Sequence, residues 1–184
     1  SYTGSIIVGT SGTPAFIIND GETSDTILRN LILRGVNLAD IGSLEIDGSS
    51  PTLDTVVFDA YCCASVDYGV DCRNDSSPAF SSCVFYTGYG TVYDAGLHCH
   101  TGASATVDDC EFWTEEGTYS KGILNTNCST TVRNTDISGS NTGAFNRGSD
   151  SSYLNCEITD NQVHGVWNEN CDPVFINCNV SNND

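Results

Sequence analysis

A six-residue pattern of apolar and polar positions recurs along the chain. It consists of an apolar residue, a spacer, a turn-prone residue and then two apolar positions separated by one residue, as in residues 28–33. The copies follow one another after 21 to 27 residues. They are anchored at Leu31, Val56, Cys83, Cys110, Thr135, Cys156 and Cys178. Such short alternating runs predict strands rather than helices.

A second pattern lies between copies of the first. It is a glycine, an apolar residue, an intervening residue and then a cysteine or asparagine. Its copies occupy 69–72, 96–99, 122–125, 143–146 and 165–168, and 43–46 is a degenerate first copy. Each repeat therefore predicts at least two short strands joined by bends rich in Gly, Asn, Ser and Thr. Short strands with this period indicate a parallel β-helix, in which each coil pairs with the next.

These repeats resemble the right-handed parallel β-helix repeats of the pectate-lyase-like superfamily. They are most similar to the Ser-Pro-x-Φ-x-Asn-Cys-x-Φ repeats of secreted and cell-surface proteins, over about residues 26–184. The resemblance implies an all-β, single-stranded right-handed parallel β-helix of about seven coils. We predict one domain, 1–184, with an irregular first coil and N-terminal strands in 1–25 and repeats in 26–184. That superfamily contains lyases, hydrolases, tailspikes, adhesins and scaffolds, so it specifies a fold but no activity.

Equivalent positions of successive coils form columns. The bend column suits left-handed backbone, because Asn and Asp tolerate that conformation. It comprises Asn30, Thr55, Ser82, Asp109, Asn134, Asn155 and Asn177. The anchor positions and the positions two residues later should both face the core, because side chains alternate along a strand. A column of Asn125, Asn146 and Asn168 predicts a buried amide ladder along the axis.

The chain contains ten cysteines, which favours an oxidising compartment with disulfides. Coils about 4.8 Å apart allow disulfides between stacked neighbours, although such bonds can be strained. Bonded and free thiols remain equal alternatives for Cys83 with Cys110, Cys156 with Cys178, and Cys72 with Cys99. The cysteines at bends are candidates for cross-links within or between chains: Cys62, Cys63, Cys128 and Cys171.

One outward column carries apolar residues at its end, in Leu124, Phe145 and Trp167. An exposed apolar stripe often marks a contact surface. Three interpretations stay open: a bend of the same chain covers it, another subunit packs on it, or Trp167 and Phe145 stack on sugar rings.

No catalytic residue is assigned. Asn134-Thr135-Asp136 matches one polygalacturonase motif by its letters, but the accompanying Gly-His-Gly and Arg-x-Lys are absent from the sequence. Its first two residues also have structural roles in the bend and core columns, so chance explains the match. Arg147 and Glu169 are expected to form an outward ion pair of little energetic value.

No metal or cofactor is assigned either. His98 and His100 share a strand face, and Asp71 should lie beside His98 on the preceding coil. Two imidazoles and a carboxylate suit Zn²⁺ or Cu²⁺. However, Arg73 beside His100 opposes a cation, so this set stays a weak alternative, as does Ca²⁺ at acidic bends. Candidate glycosylation sequons begin at Asn74, Asn127 and Asn179.

The charge excludes several partners. With 6 basic and 24 acidic residues the net charge is −18, which argues against nucleic acids and anionic membrane surfaces. The sequence has no apolar run long enough to insert into a membrane. It contains no Met and begins with Ser1, which predicts a processed or excised product.

These observations lead to two functional hypotheses. The first is a non-enzymatic extracellular structural protein, a subunit or segment of a filament, surface appendage or virion fibre. It would assemble with copies of itself through coil ends and lateral contacts. The alternative is a polysaccharide lyase or hydrolase, or a glycan-binding module, on the same fold. Both place the protein outside the cell or on a cell or virion surface.

Overall fold

Three parallel β-sheets, each receiving one strand from every coil, build a β-solenoid of about six turns. The computed structural model describes residues 4–35, 39–60, 66–88, 93–114 and 119–184. The predicted all-β parallel solenoid is confirmed, and its number of turns is close to the seven expected. Within the described ranges no helix is long and apolar enough to cross a membrane.

Sheet A runs along the first side of the solenoid. Its strands are β1 (Ser5–Val8), β4 (Leu31–Arg34), β7 (Val57–Ala60), β10 (Val84–Thr87), β13 (Glu111–Thr114), β16 (Asp136–Ser138), β19 (Glu157–Thr159) and β22 (Asn179–Ser181).

Sheet B forms the second side and contains the longest strands. They are β2 (Phe16–Ile18), β5 (Ala39–Asp47), β8 (Val66–Arg73), β11 (Tyr93–His100), β14 (Ser120–Thr126), β17 (Thr142–Arg147) and β20 (His164–Glu169).

Sheet C completes the cross-section with strands of three residues each. They are β3 (Ile27–Arg29), β6 (Thr52–Asp54), β9 (Ala79–Ser81), β12 (Thr106–Asp108), β15 (Thr131–Arg133), β18 (Ser152–Leu154) and β21 (Val174–Ile176).

The corner between sheet C and sheet A is a one-residue bend with left-handed backbone. All seven residues of the predicted bend column adopt it, with φ between 48° at Asn134 and 55° at Asn30 and Thr55. Asparagine tolerates this conformation, and its amide also bonds to the neighbouring coil, as Asn155 Nδ2 donates to Asn134 Oδ1 at 3.2 Å. The repeated bend turns every strand of sheet C into the next strand of sheet A.

The core is a stack of side chains along the axis. Phe58, Phe85 and Phe112 lie in register on adjacent strands of sheet A and are fully buried. The Phe85 and Phe112 rings are 4.2 Å apart with an interplanar angle of 6°, and the Phe58 and Phe85 rings are 4.8 Å apart. Removing one such ring from a packed core costs about 3–5 kcal/mol.

The glycine of the second pattern lies where sheet B approaches the core. A Cβ on Gly96 would lie 2.8 Å from the Gly122 carbonyl oxygen and 2.8 Å from Phe112 Cδ1. Strand pairing skips this position, because Tyr68 pairs with Ala95 and Val70 with Leu97. The glycine is thus required by close packing, and it interrupts the alternation of side chains along sheet B.

The stacked cysteines are free thiols, so at all three candidate pairs the structure shows the free alternative rather than a disulfide. The free thiols are Cys72, Cys83, Cys99, Cys110, Cys128, Cys156, Cys171 and Cys178. In the anchor column the thiols of Cys83, Cys156 and Cys178 donate to a carbonyl oxygen of the preceding coil, whereas Cys110 donates to Asp108 O of its own coil. Cys83 Sγ lies 3.4 Å from Leu53 O, and Cys178 Sγ lies 3.3 Å from Tyr153 O.

Burial keeps the thiols of Cys128 and Cys156 protonated. It raises the pKa of Cys156 to about 11 and that of Cys128 to about 12. Cys128 is only 6% exposed and donates to Cys99 O at 3.1 Å, a placement that does not suit a cross-link to another chain. Cys171 is half-buried, and Cys62 and Cys63 lie outside the described residues.

The bend column gives a direct stability prediction. Thr55 holds a left-handed conformation, with φ of 55°, that is strained for a β-branched side chain. We expect Thr55→Asn to raise the free energy of unfolding by about 1 kcal/mol in urea denaturation. The reciprocal change at the equivalent bend, Asn30→Thr, should lower it by a similar amount. If Thr55→Asn and Asn30→Thr had the same stability, the left-handed backbone of the bend would not favour Asn over Thr.

Candidate functional site

The outer face of sheet B carries both the apolar stripe and the histidine cluster that the sequence offered as candidate sites. The central outward column consists of Glu45, Asp71, His98, Leu124, Phe145 and Trp167. Two further columns flank it. One contains Tyr68, Ala95, Lys121, Thr142 and His164, and the other contains Asp47, Arg73, His100, Thr126, Arg147 and Glu169. The strands of six coils are therefore needed to assemble this surface.

A groove of about 510 Å³ lies on this face, and we call it the sheet B groove. Its volume falls within the range of small-ligand sites. Its described lining comprises Tyr68, His98, Tyr119, Lys121, Leu124, Thr126, Asn141, Thr142, Phe145, Arg147, Trp167 and Glu169. The predicted stripe of Leu124, Phe145 and Trp167 is thus part of a concave surface.

The aromatic end of the groove is formed by Phe145 and Trp167. Their ring centroids are 6.0 Å apart, and the imidazole of His164 meets the Trp167 indole edge-on at 4.7 Å. Trp167 is 43% exposed, which leaves much of a large aromatic surface accessible. Such a surface offers both apolar area and an indole N–H donor.

Cationic groups converge on Phe145. Lys121 Nζ lies 5.8 Å and Arg147 Cζ lies 5.2 Å from the ring centroid, within the range of cation–π attraction. Burial lowers the pKa of Lys121, whose ammonium also donates to Tyr119 O at 2.7 Å. Arg147 Nε donates to Glu169 Oε2 at 2.6 Å, so the expected outward ion pair is present.

Asp71 and two histidines form a polar cluster beside the groove, and of these three residues only His98 lines it. Asp71 Oδ1 lies 3.0 Å from His98 Nδ1 and 3.2 Å from His100 Nε2. The two imidazole rings stack, with centroids 4.4 Å apart and planes at 14°, and the Tyr68 ring packs on His98 at 4.6 Å. The structure therefore brings together the three residues that the sequence offered only as a weak metal site.

Asp71 is the most buried charge of this face, with 2% of its surface exposed. Burial raises the pKa of its carboxyl, but the interactions with the His100 and His98 imidazoles outweigh burial and hold the pKa at about 2. Arg73 Nη1 lies 3.5 Å from Asp71 Oδ2 on the opposite side of the carboxylate. The carboxylate is therefore ionised at neutral pH.

Other predicted residues lie away from the groove. Thr135 is buried in the core and bonds to Arg133 O, and Asn134 forms a bend, which agrees with the structural interpretation of that motif. The sequon residues are all exposed, as glycosylation requires: Asn74, Asn127 and Asn179.

Sequence reasoning missed Tyr68, Tyr119 and Lys121 as groove residues. Strict alternation from Val70 would turn Tyr68 inward, whereas its ring packs on His98 outside the core. In the sequence, the glycine that follows each of Tyr68 and Lys121 could have indicated that these side chains face outward. That glycine reverses the alternation of side chains, as the skipped pairing shows.

Beneath the aromatic end of the groove, the asparagine ladder stabilises the inner side of sheet B by hydrogen bonds between coils. Asn125 Nδ2 donates to Asn146 Oδ1 at 2.9 Å, and Asn146 Nδ2 donates to Asn168 Oδ1 at 2.9 Å. Tyr153 Oη also donates to Asn146 Oδ1 at 3.0 Å. Asn125 and Asn146 are fully buried, so these bonds satisfy polar groups that water cannot reach.

Loss of the central amide should be costly. We expect Asn146→Ala to lower the free energy of unfolding by about 1–3 kcal/mol, because it removes the acceptor of two buried donors. Asn168→Ala is the matched control, since Asn168 is exposed at the end of the ladder, and it should cost much less. Urea denaturation of the two variants measures the difference. Equal costs would mean that burial of the amide does not matter.

Comparison with known proteins adds no relative to this description. No protein-family model, no curated protein and no solved structure matches the chain. The likeness to pectate-lyase-like proteins therefore rests on the repeat pattern and on the parallel solenoid, and the function has to be argued from the groove.

Proposed function

We propose that this protein is a glycan-binding β-solenoid that holds a polysaccharide segment along the sheet B groove. The observation that carries the proposal is the pairing, within one groove of about 510 Å³, of an exposed tryptophan with charged and polar side chains. Sugar rings present apolar C–H faces and hydroxyl edges, and this lining offers a counterpart to both.

The aromatic end supplies the stacking surface. Trp167 is 43% exposed, and Phe145 beside it is held in place by the two cations above its ring. A sugar ring on the Trp167 indole would bury apolar area on both partners. Arg147, Glu169, Asn141 and Thr142 supply donors and acceptors along the groove.

The charge distribution favours neutral or mildly acidic glycans. The chain carries only 6 lysines and arginines, and Arg73, Lys121 and Arg147 all lie on the outer face of sheet B. A net charge of −18 repels polyanions elsewhere on the surface. Lys121 and Arg147 line the groove with a single carboxylate, Glu169, so the groove can accept a sugar carboxylate, whereas Arg73 lies among three carboxylates.

We propose that the sheet B groove binds a glycan without cleaving it. Glycoside hydrolysis generally uses two carboxyl groups that flank the scissile bond. Among the described residues that line the groove, Glu169 is the only carboxylate, and it is paired with Arg147. A lyase or hydrolase stays the alternative activity on this fold.

The two tryptophans of the chain provide a matched test. Trp167 lies in the groove, whereas Trp113 is exposed to a similar degree, 45%, on the outer face of sheet A. Affinity electrophoresis should use gels that contain xylan, mannan, β-glucan, polygalacturonate or alginate. We expect at least one of them to retard the protein, and Trp167→Ala to weaken that binding by about tenfold or more, or about 1.4 kcal/mol.

Trp113→Ala should leave the retardation unchanged. The proposal is wrong if no polysaccharide retards the wild-type chain, or if the two tryptophan variants behave alike. Release of reducing or unsaturated sugars from a retained polysaccharide would favour the enzymatic alternative.

A second candidate function is self-assembly into an extracellular filament. It is favoured by one observation on the described residues. Apart from Trp113 and Tyr119, the large exposed hydrophobic side chains lie in or beside the first and last strands of the three sheets. They are Ile6, Val8, Phe16, Ile17, Ile27, Val163, Trp167, Val174, Ile176 and Val180.

A second copy is the occupant that fits these faces, because its last coil presents the same three parallel strands that the first coil lacks as neighbours. Such head-to-tail contacts propagate. Sedimentation velocity at rising concentration, with electron microscopy, should then show oligomers or filaments, and Ile17→Lys with Ile6→Lys should dissolve them. A chain that stays monomeric at all concentrations contradicts assembly.

The extracellular location remains a prediction from composition and repeat type. The described cysteines are free thiols, so the structure lends no support to the argument from disulfides.

A further inference from the structure

We propose that Asp71, His98 and His100 form a binding site for one divalent transition-metal ion of the Zn²⁺ class, at the point where His98 borders the sheet B groove. Zn²⁺ binding is measured without a glycan, so its test is separate from that of the proposed function.

The register of sheet B creates the cluster. Asp71 on β8 pairs with His98 on β11, and His100 lies two residues further along the same strand face. One carboxylate oxygen and two ring nitrogens, namely Asp71 Oδ1, His98 Nδ1 and His100 Nε2, lie within 4.8 Å of one another. These are the atom types that bind Zn²⁺ in proteins.

Two of the three atoms lack a hydrogen-bond partner. Asp71 Oδ1 and His98 Nδ1 are shielded from solvent and face each other at 3.0 Å without forming an aligned hydrogen bond. Asp71 as a whole is only 2% exposed. Buried polar atoms without partners are costly, and a cation between them would satisfy both.

Arg73 supports this site rather than opposing it. Its guanidinium lies 3.4 Å from Glu45, 3.1 Å from Asp47 and 3.5 Å from Asp71 Oδ2. Three carboxylates and one guanidinium leave a net charge of −2, which a divalent cation would neutralise. Because Arg73 holds Oδ2, Asp71 Oδ1 is left facing the imidazoles.

Neighbouring side chains orient the two rings. His100 Nδ1 lies 2.8 Å from Thr101 Oγ1, and an Nδ1–H that donates to this hydroxyl leaves the lone pair of Nε2 directed at the cluster. The Tyr68 ring packs on His98 at 4.6 Å. Outer contacts of this kind fix tautomer and ring orientation in metal sites.

The ligand set selects the class of metal. Two imidazoles with one carboxylate suit Zn²⁺ and its transition-metal neighbours, whereas Ca²⁺ and Mg²⁺ require mostly oxygen ligands. Three protein ligands also leave a tetrahedral ion one open position. His98 lines the groove, so the ion would adjoin the space in which a ligand lies.

Isothermal titration calorimetry tests the site on the full chain after removal of metals with EDTA. We expect one Zn²⁺ to bind per chain and neither Mg²⁺ nor Ca²⁺ to bind at that site. His100→Gln and Asp71→Asn should each weaken Zn²⁺ binding at least tenfold. The third histidine of the chain gives the control, because His164 lies on the same face outside the cluster, and His164→Gln should bind as the wild type does.

Cysteine thiolates also bind Zn²⁺. A measurement on the wild-type protein identifies the ligands directly and does not depend on whether a variant folds. X-ray absorption of the zinc-loaded chain should show nitrogen and oxygen neighbours at about 2.0–2.1 Å, without sulfur at about 2.3 Å. A sulfur shell, absence of stoichiometric Zn²⁺ binding, or unchanged affinity in a folded His100→Gln variant would overturn the proposal. The three residues would then be a buried ion-pair cluster alone.

Discussion

Pairing between successive coils is the constraint on which the rest of this molecule depends. In almost every strand, the backbone groups form hydrogen bonds with the strands of the preceding and following coils. No coil can therefore satisfy its backbone hydrogen bonds alone. The pairing demands that equivalent residues return to the same place in each coil. A left-handed bend at Asn30 and its six equivalents provides that return at one corner, and the glycine within the strands of sheet B permits close packing between coils.

The same pairing explains why the candidate sites lie on the outer face of sheet B. Residues one coil apart in sequence become neighbours at strand spacing, as do Asp71 and His98, which are 27 positions apart. Charged side chains and the Trp167 indole lie on the outer face of the longest strands. The face therefore changes in character along the axis, from carboxylates and histidines in early coils to aromatic residues in late coils.

The interior shows how a solenoid accommodates polar atoms. The thiols of Cys83, Cys156 and Cys178 donate to carbonyl oxygens of the preceding coil, and the amides of Asn125 and Asn146 bond along the axis. These side chains therefore find their partners one coil away. The buried cysteines of the described residues thus contribute as small apolar side chains with a weak donor.

The sequence by itself determined the fold class, the bend column and the ladders, because a repeat of 21 to 27 residues specifies which residues stack. It also placed Trp167, Phe145 and the histidine cluster on an outward column. Only the tertiary structure decided that Tyr68 and Lys121 join them, since close packing at the following glycine reverses the alternation. It alone showed that Arg73 is held by three carboxylates and that Asp71 Oδ1 lacks a hydrogen-bond partner. Side-chain direction and local charge balance depend on contacts between coils, which a repeat pattern does not encode.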